Sequence, residues 1–182
     1  MKALLIIDMQ KTSFTPATPR YDSEGVVERI NRLSERFREN GDLVIFVQHD
    51  GSKEGFCLPH TEEWELLPTL ETKASDQFLF KTANDAFYRT TLKVDLMRNR
   101  IRELVVTGCA TDFCVDSTVK SALVNDFNIT VISNGHTAAD RPTLTAKQVI
   151  DHYNWLWTEM TPTEGKIEVV GFEEYIRSQS TT

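Results

Sequence analysis

Three residues of the sequence have side chains that can cooperate in covalent catalysis. Asp8 comes directly after the first short apolar run, Lys81 directly after the third, and Cys114 begins the helix predicted after the fourth. A carboxylate can take the proton of a thiol, a nearby ammonium group stabilises the thiolate, and the thiolate attacks an electron-poor carbon. The three residues are therefore candidates for a nucleophilic site, provided that the fold brings them together.

Short apolar runs alternate with amphipathic segments along the chain. The runs are continuous, which predicts strands covered on both faces, as in a parallel sheet; they are residues 3–7, 43–47, 78–80, 104–106, 129–132 and 167–170. Between them, Val26, Ile30 and Leu33 repeat at helical spacing. This alternation predicts a single domain over residues 1–182 of the α/β class, a three-layer doubly wound sheet. We expect six mostly parallel strands in the order 3-2-1-4-5-6, with helices on both faces and an irregular tail at residues 178–182.

The carboxyl ends of the strands are where sheets of this kind bind ligands. Asp8 and Cys114 flank the crevice between strands 1 and 4, where the strand order reverses. Lys81 ends strand 3, two places and about 10 Å from strand 1, so we expect residues 82–87 to bend back over the sheet. The long segment 50–72 is predicted to be an irregular lid or pocket wall.

The segment 108–115 reads Gly-Cys-Ala-Thr-Asp-Phe-Cys-Val. Gly108 permits a tight turn, and the hydroxyl of Thr111 is predicted to cap the next helix at the amide of Cys114. The thiol then lies in the first helical turn, where unpaired amides favour the thiolate and stabilise a developing oxyanion. Two structural alternatives remain open: Cys114 as a small buried apolar residue, and Asp8 with Lys81 as a structural ion pair.

Composition narrows the possible partners and compartment. There are 20 basic and 27 acidic side chains, a net charge of −7, which disfavours binding to nucleic acid or to an anionic membrane. The apolar run after Met1 is too short for a signal peptide, and no run approaches the roughly 20 apolar residues of a membrane span. Three cysteines without a framework spacing fit a reducing compartment. We therefore expect a cytoplasmic protein with a small-molecule substrate.

Three fragments occur in the order found in one enzyme family. They are Asp8-Met9-Gln10, Lys81 with Asn84 and Phe87, and Gly108-x-x-Thr111-x-x-Cys114-Val115-x-x-Thr118. Over nearly the whole chain the sequence resembles the isochorismatase-like cysteine hydrolases, in their amidase-like branch. The resemblance implies Cys114 as nucleophile, Asp8 as general base and acid, and Lys81 as the cation that orients Asp8 and favours the thiolate. It also implies a cis peptide between Cys109 and Ala110, with the backbone amides of Ala110 and Cys114 binding the oxyanion.

The activity implied by this resemblance is hydrolysis of a C–N bond in a small amide or carbamoyl compound, through a thioester intermediate. The alternative is a non-catalytic member of the same fold that binds a small carbonyl ligand. A nucleotide redox enzyme is disfavoured because no Gly-x-Gly-x-x-Gly follows the first strand. The candidate substrate-binding residues, whose aromatic members could equally belong to the core, are Gln10, Phe14, His49, Trp64, Phe87 and Phe113.

Departures from the family pattern concern the metal and the nucleophile. Isochorismatase itself hydrolyses a vinyl ether and lacks the cysteine. Nicotinamidases of the family bind a metal through an Asp-x-His motif, whereas here His49, Asp50 and His60 offer three ligands in another order. We therefore expect no metal and no other cofactor. His136, after the fifth strand, is predicted to form a hydrogen bond behind the site.

The last long helix carries apolar residues on more than one face. Trp155 and Trp157 lie beside its main apolar stripe, which includes Val149 and Tyr153. Such a helix usually contacts a second partner besides its own sheet. We expect a homo-oligomer in which Trp155 and Trp157 take part in the contact.

Overall fold

A six-stranded sheet forms the centre of the protein. The computed structural model describes residues 1–179, and its strands are β1 (Lys2–Ile7), β2 (Leu43–His49), β3 (Gln77–Lys81), β4 (Glu103–Cys109), β5 (Asn128–Thr137) and β6 (Ile167–Val170). The helices are α1 (Ser23–Glu39), α2 (Leu92–Arg98), α3 (Asp116–Val124), α4 (Ala146–Glu159) and α5 (Phe172–Gln179). Neighbouring strands are parallel, in the order β3-β2-β1-β4-β5-β6. The predicted fold class and strand order are confirmed.

Both faces of the sheet are covered, which explains the continuous apolar runs. In β1, Leu4 and Ile6 pack towards α1 and α5, whereas Leu5 and Ile7 pack towards α2, α3 and α4. All four side chains are fully buried, and burial of each contributes about 1.5–3 kcal/mol. A shift of β1 by one residue would exchange its two faces. The two cores therefore fix the position of the residue that follows β1, which is Asp8.

Gly108 brings β1 and β4 close together at the end that carries the polar residues. It pairs with Ile7 and has a φ of +123°, which side-chain-bearing residues rarely adopt. A Cβ atom at this position would lie 2.2 Å from the carbonyl oxygen of Ile7. Gly108 thus lies within β4 and permits close approach of the strands, instead of the tight turn expected from the sequence.

The segment between β2 and β3 is more ordered than an irregular loop. Residues Glu62–Trp64 form a turn of 3-10 helix, and Leu66 forms an antiparallel bridge with Gln10. The amide of Leu67 donates to the carbonyl of Met9 at 3.0 Å. The segment therefore lies against the residues that follow β1.

The two tryptophans of the late helix α4 differ in burial, and only one of them is placed for the expected external contact. Trp157 is fully buried, and its Nε1 donates to Asp116 Oδ1 at 3.0 Å, so it belongs to the core and not to an external contact. Trp155 is 57% exposed. The expectation was wrong for Trp157 because the apolar face of α4 is wider than a single stripe.

Two further expectations concern the tail and the membrane. Ser178 and Gln179 belong to α5, so the predicted irregular tail does not begin there, and residues 180–182 lie outside the part described. Among the helices of residues 1–179, none is long and apolar enough to cross a membrane.

Candidate active site

The ends of β1 and β3 and the segment after β4 bring Asp8, Lys81 and Cys114 together. Lys81 Nζ lies 2.7 Å from Asp8 Oδ2 and 3.4 Å from Cys114 Sγ. Lys81 is the last residue of β3 and pairs with His49 of β2, so its side chain extends across the end of β2. Residues 82–87 bend back towards β4 and α3 as expected: Asn84 Oδ1 lies 3.6 Å from Cys114 Sγ, and the amide of Ala86 donates to Thr118 Oγ1 at 3.1 Å.

The ammonium group of Lys81 is held by three acceptors. Besides Asp8 and Cys114, it donates to the carbonyl oxygen of Ala83 at 2.9 Å. An ammonium group has three N–H donors, and Lys81 is only 1% exposed. The cation is thus fixed in place. The second oxygen of Asp8, Oδ1, is buried and has no hydrogen-bond partner within residues 1–179, and remains available as an acceptor.

The charge state of the site differs from the expectation of a resting thiolate. Burial raises the pKa of the Cys114 thiol, the charge of Asp8 raises it further, and Lys81 only partly opposes them. Burial disfavours the charged form of Lys81, but Asp8 and Cys114 outweigh it and raise the pKa of Lys81. The direction of the Cys114 shift favours a neutral thiol beside the ammonium group of Lys81. The helix terminus and the nearby cation, which favour the thiolate, are opposed here by desolvation.

The segment that carries Cys114 is a turn of π-helix, Thr111–Val115, that continues into α3. The peptide bond between Cys109 and Ala110 is cis, as the family resemblance implied. The carbonyl of Ala110 accepts from the amides of Phe113 and Val115 at 3.1 and 3.2 Å. Thr111 does not cap this helix; its hydroxyl bonds to Nδ1 of His136 at 2.8 Å.

A chain of hydrogen bonds behind the site defines the state of His136. Asn154 Nδ2 donates to the carbonyl of Ser133, so Asn154 Oδ1 accepts from His136 Nε2–H at 3.0 Å. His136 Nδ1 must then accept from the Thr111 hydroxyl. Burial lowers the pKa of His136 to about 4. The neutral imidazole therefore ties the start of the π-helix to α4, which agrees with the predicted hydrogen bond.

We expect the protein to lose stability as the pH falls from about 6.5 to 4. His136 takes up a proton in the unfolded chain near the ordinary histidine pKa of 6.5 and in the folded protein only near a pKa of about 4, so the unfolded state binds more protons in this window. The loss of unfolding free energy approaches about 3 kcal/mol near pH 4. Urea unfolding at several pH values measures it.

His136→Gln should flatten that pH dependence, and His152→Gln, at an exposed site on α4, should retain it. An unchanged slope in His136→Gln would show that another group causes the acid loss.

A cavity of about 490 Å³ opens beside the three residues, and Asp8 and Cys114 lie in its wall. This volume is within the usual range of small-molecule pockets, about 300–1,000 Å³. Ala110, Phe113 and His49 also line the cavity. Phe113 is 49% exposed at the opening, where the guanidinium of Arg141 stacks on its ring at 5.1 Å.

Gln10 reaches the cavity wall but serves mainly to hold the neighbouring loop. Its Nε2 donates to the carbonyls of His49 and Trp64 at 3.1 and 2.9 Å, and its Oε1 accepts from the amide of His49 at 2.7 Å. With 1% of its surface exposed, Gln10 has both amide protons engaged with protein acceptors, whereas its Oε1 retains a second lone pair. Gln10 lies in the cavity wall, and a direct contact with substrate stays a prediction.

Three aromatic candidates lie away from the cavity lining. Phe14 packs against the core beneath α1, and Trp64 packs against Phe80 with ring centroids 5.2 Å apart. Phe87 packs against Phe127 on the opposite face of the sheet. Phe14 and Phe87 contribute to the two cores, whereas Trp64 packs on the exposed ring of Phe80. An aromatic residue near a strand end can turn to either side, and the sequence does not specify which.

The sequence prediction of the site omitted five residues that line the cavity, Thr12, Ser13, Thr18, Arg20 and Phe56, and used Asn84 only as part of a motif. Arg20 and Phe56 are in the wall, and neither follows a strand or belongs to a recognisable spacing. Asn84 lies in the wall, and its Oδ1 is 3.6 Å from Cys114 Sγ. In the sequence, the feature that points to Asn84 is its spacing of three residues after Lys81.

The possible metal ligands are not arranged as a set. Within residues 1–179 there is no group of three or more His, Cys, Asp or Glu side chains placed to hold a metal ion. His49 Nε2 is 3.8 Å from Glu54, and Asp50 accepts from the amide of Ser52 at 2.9 Å. His60 packs against Trp64. His49, Asp50 and His60 therefore have separate surroundings.

The fold and this arrangement define an α/β protein with a thiol, a carboxylate and an ammonium group at the carboxyl edge of its sheet. A sequence model of the isochorismatase domain matches residues 2–164, and the chain belongs to the isochorismatase family. A crystal structure of an isochorismatase family protein superposes with a TM-score of 0.83 at 29% identity, covering 92% of this chain and 97% of that one.

Two curated relatives show the range of functions ascribed to similar chains. Streptothricin hydrolase of Streptomyces noursei is 30% identical over 78% of this chain and 51% of its own length. The chain thus spans about half the length of this relative. A probable inactive nicotinamidase of Arabidopsis thaliana is 30% identical over 84% of this chain and 88% of its own.

Proposed function

We propose that the protein is a cysteine-dependent hydrolase that cleaves a C–N bond of a small amide or carbamoyl compound. The observation that carries the proposal is the double contact of Lys81 Nζ, with Asp8 Oδ2 at 2.7 Å and with Cys114 Sγ at 3.4 Å, beside an open cavity. A structural ion pair has no need of a thiol at its side. The similarity to a streptothricin hydrolase supports hydrolysis as the reaction class.

Acylation begins with a neutral thiol, which agrees with the raised pKa of Cys114. Asp8 Oδ1, buried and without a partner in the described part of the chain, takes the thiol proton as Sγ attacks the carbonyl carbon. Lys81 remains charged and stabilises both the carboxylate and the developing thiolate. The base thus acts during attack and need not create a standing thiolate.

The tetrahedral oxyanion is proposed to bind the backbone amides of Ala110 and Cys114, which flank the start of the π-helix. Protonated Asp8 then gives its proton to the nitrogen of the leaving group, the C–N bond breaks, and ammonia or an amine departs. A thioester on Cys114 remains. Water attacks it while Asp8 accepts a proton, and the carboxylic or carbamic acid leaves as the thiol is restored.

Release of ammonia from a panel of primary amides, carbamoyl compounds and ureido acids tests the proposal. We expect at least one class to be hydrolysed at a rate that depends on Cys114. If compounds bind in the cavity and none is hydrolysed, the hydrolase proposal is wrong. The protein is then a non-catalytic binding member of the fold, the alternative favoured by its similarity to a probable inactive nicotinamidase.

We further propose a homo-oligomer whose contact includes Trp155. This side chain is 57% exposed on α4 beside the ring of His152, with centroids 5.7 Å apart. Trp155→Glu should reduce the mass measured by light scattering at micromolar concentration, because a charge in an apolar contact is costly. A wild-type monomer under the same conditions would contradict the proposal.

A further inference from the structure

Arg20 is the charged residue of the cavity wall that the catalytic proposal does not use. Its Nε donates to the carbonyl of Ser13 at 2.5 Å. Its Nη1 is buried and has no hydrogen-bond partner within residues 1–179. No ion pair involves Arg20 among those formed in this part of the chain. A guanidinium group in this position is therefore left without a counter-charge.

The other charges near the cavity are already paired. Asp8 and Lys81 neutralise each other, and Asp112 at the opening forms two hydrogen bonds with Arg141, at 2.6 and 2.7 Å. The uncompensated charge of the wall is thus that of Arg20. Arg20 and Cys109 both line the cavity, and the charge of Arg20 opposes the rise of the Cys109 pKa that burial causes.

We propose that Arg20 binds a carboxylate group of the substrate, so that the preferred substrates are amides or carbamoyl compounds with an anionic group a few bonds from the scissile carbonyl. The inference rests on the proposed hydrolase function for its reaction and deepens it by naming the substrate class. Arginine is suited to this role because its planar group donates to both oxygens of a carboxylate. Nη1 of Arg20 has no hydrogen-bond partner within residues 1–179, so a ligand oxygen that accepts from it satisfies a donor that is otherwise left without a protein partner.

The neighbouring wall supplies further donors for an anion. Thr12 and Ser13, in and at the end of the 3-10 turn Lys11–Ser13, line the cavity beside Arg20. Their hydroxyl groups can donate to carboxylate oxygens. Because the carbonyl of Ser13 holds Nε of Arg20, the position of the guanidinium is fixed before a ligand arrives, which lowers the entropic cost of binding.

Two alkylating agents of nearly equal size test the proposal. Iodoacetate carries a carboxylate, iodoacetamide is neutral, and both react with the same thiolate, so the ratio of their rates at Cys114 is independent of the thiol pKa. We expect this ratio to fall about tenfold in Arg20→Gln, because the attraction of an anion in the cavity is lost. Arg20→Lys should retain most of the wild-type ratio. Mass spectrometry of the peptide that contains Cys114 gives both rates.

A matched control removes one positive charge far from the cavity. Arg102 is exposed just before β4, at the opposite edge of the sheet. Arg102→Gln should leave the ratio unchanged. A ratio in Arg20→Gln within twofold of the wild-type value overturns the proposal, as does an equal fall in Arg102→Gln, which would reflect net charge alone.

Calorimetry provides an independent measurement that needs neither turnover nor alkylation. In Cys114→Ala, malonamate should bind more tightly than neutral malonamide, and adding Arg20→Gln should abolish the difference. Equal binding, or no binding of either compound, overturns the proposal. If Arg20 confers the anion preference and no amide is hydrolysed, the binding site stands and the hydrolase proposal fails. If amides are hydrolysed without that preference, only the carboxylate site fails.

Discussion

Replacement of Cys114 by alanine is expected to lower the rate of amide hydrolysis by about four orders of magnitude or more, because removal of a covalent nucleophile eliminates the path through the thioester. The fold should tolerate the change. The side chain is only partly buried and, within residues 1–179, makes no hydrogen bond to the backbone, so we expect a change in unfolding free energy within about 1 kcal/mol. Ammonia release and thermal unfolding, measured on the same preparation, separate the two effects.

Cys57→Ala is the matched control for that substitution. Cys57 is fully buried outside the cavity lining, and burial raises the pKa of its thiol to about 11. The variant should therefore keep wild-type turnover per folded molecule while it loses some stability. Full activity in Cys114→Ala, or equal losses in both variants, would show that the thiol at position 114 is not the nucleophile.

The second large effect is expected for Asp8→Asn. Turnover should fall by about three orders of magnitude, since no group then takes the thiol proton and returns it to the leaving nitrogen. The pKa of Cys114 should fall at the same time, because the charge of Asp8 raises it and Lys81, which lowers it, remains. Thiolate absorbance near 240 nm measures that pKa directly. The variant thus combines more thiolate with less activity.

A higher thiolate fraction combined with lower turnover distinguishes a general base from a residue that only shifts the thiol pKa. Asp116→Asn is the control, since Asp116 is a nearly buried carboxylate that accepts from Trp157 and Lys120 outside the site. It should lose stability without a change in the pKa of Cys114. If Asp8→Asn retains turnover, or if its activity rises with the thiolate fraction, the proton-transfer role of Asp8 is wrong.

The sheet was predictable because its signals are local. Continuous apolar runs mark strands covered on both faces, and the rules of parallel connections leave few strand orders. Asp8 could be placed at the edge of the sheet because it directly follows β1. The position of Cys114 followed in the same way from β4, and the family resemblance added the cis peptide after Cys109.

Other features of the site depend on contacts between distant parts of the chain. The raised pKa of Cys114 results mainly from burial, to which several elements contribute and which no spacing in the sequence reveals. The bond between Thr111 and His136 and the burial of Trp157 against Asp116 join residues 25 and 41 positions apart. Arg20 does not directly follow a strand and belongs to no motif, so only its place in the cavity wall identifies it.

The account depends most on a covalent bond between Cys114 and the acyl group of the substrate. Acid quenching in the first turnover, followed by mass spectrometry, measures that bond with any amide found to release ammonia. We predict that the peptide containing Cys114 gains the mass of the acyl group, and that the adduct forms and decays at rates consistent with turnover. Turnover with the sulfur of Cys114 unmodified at every time point would contradict the account.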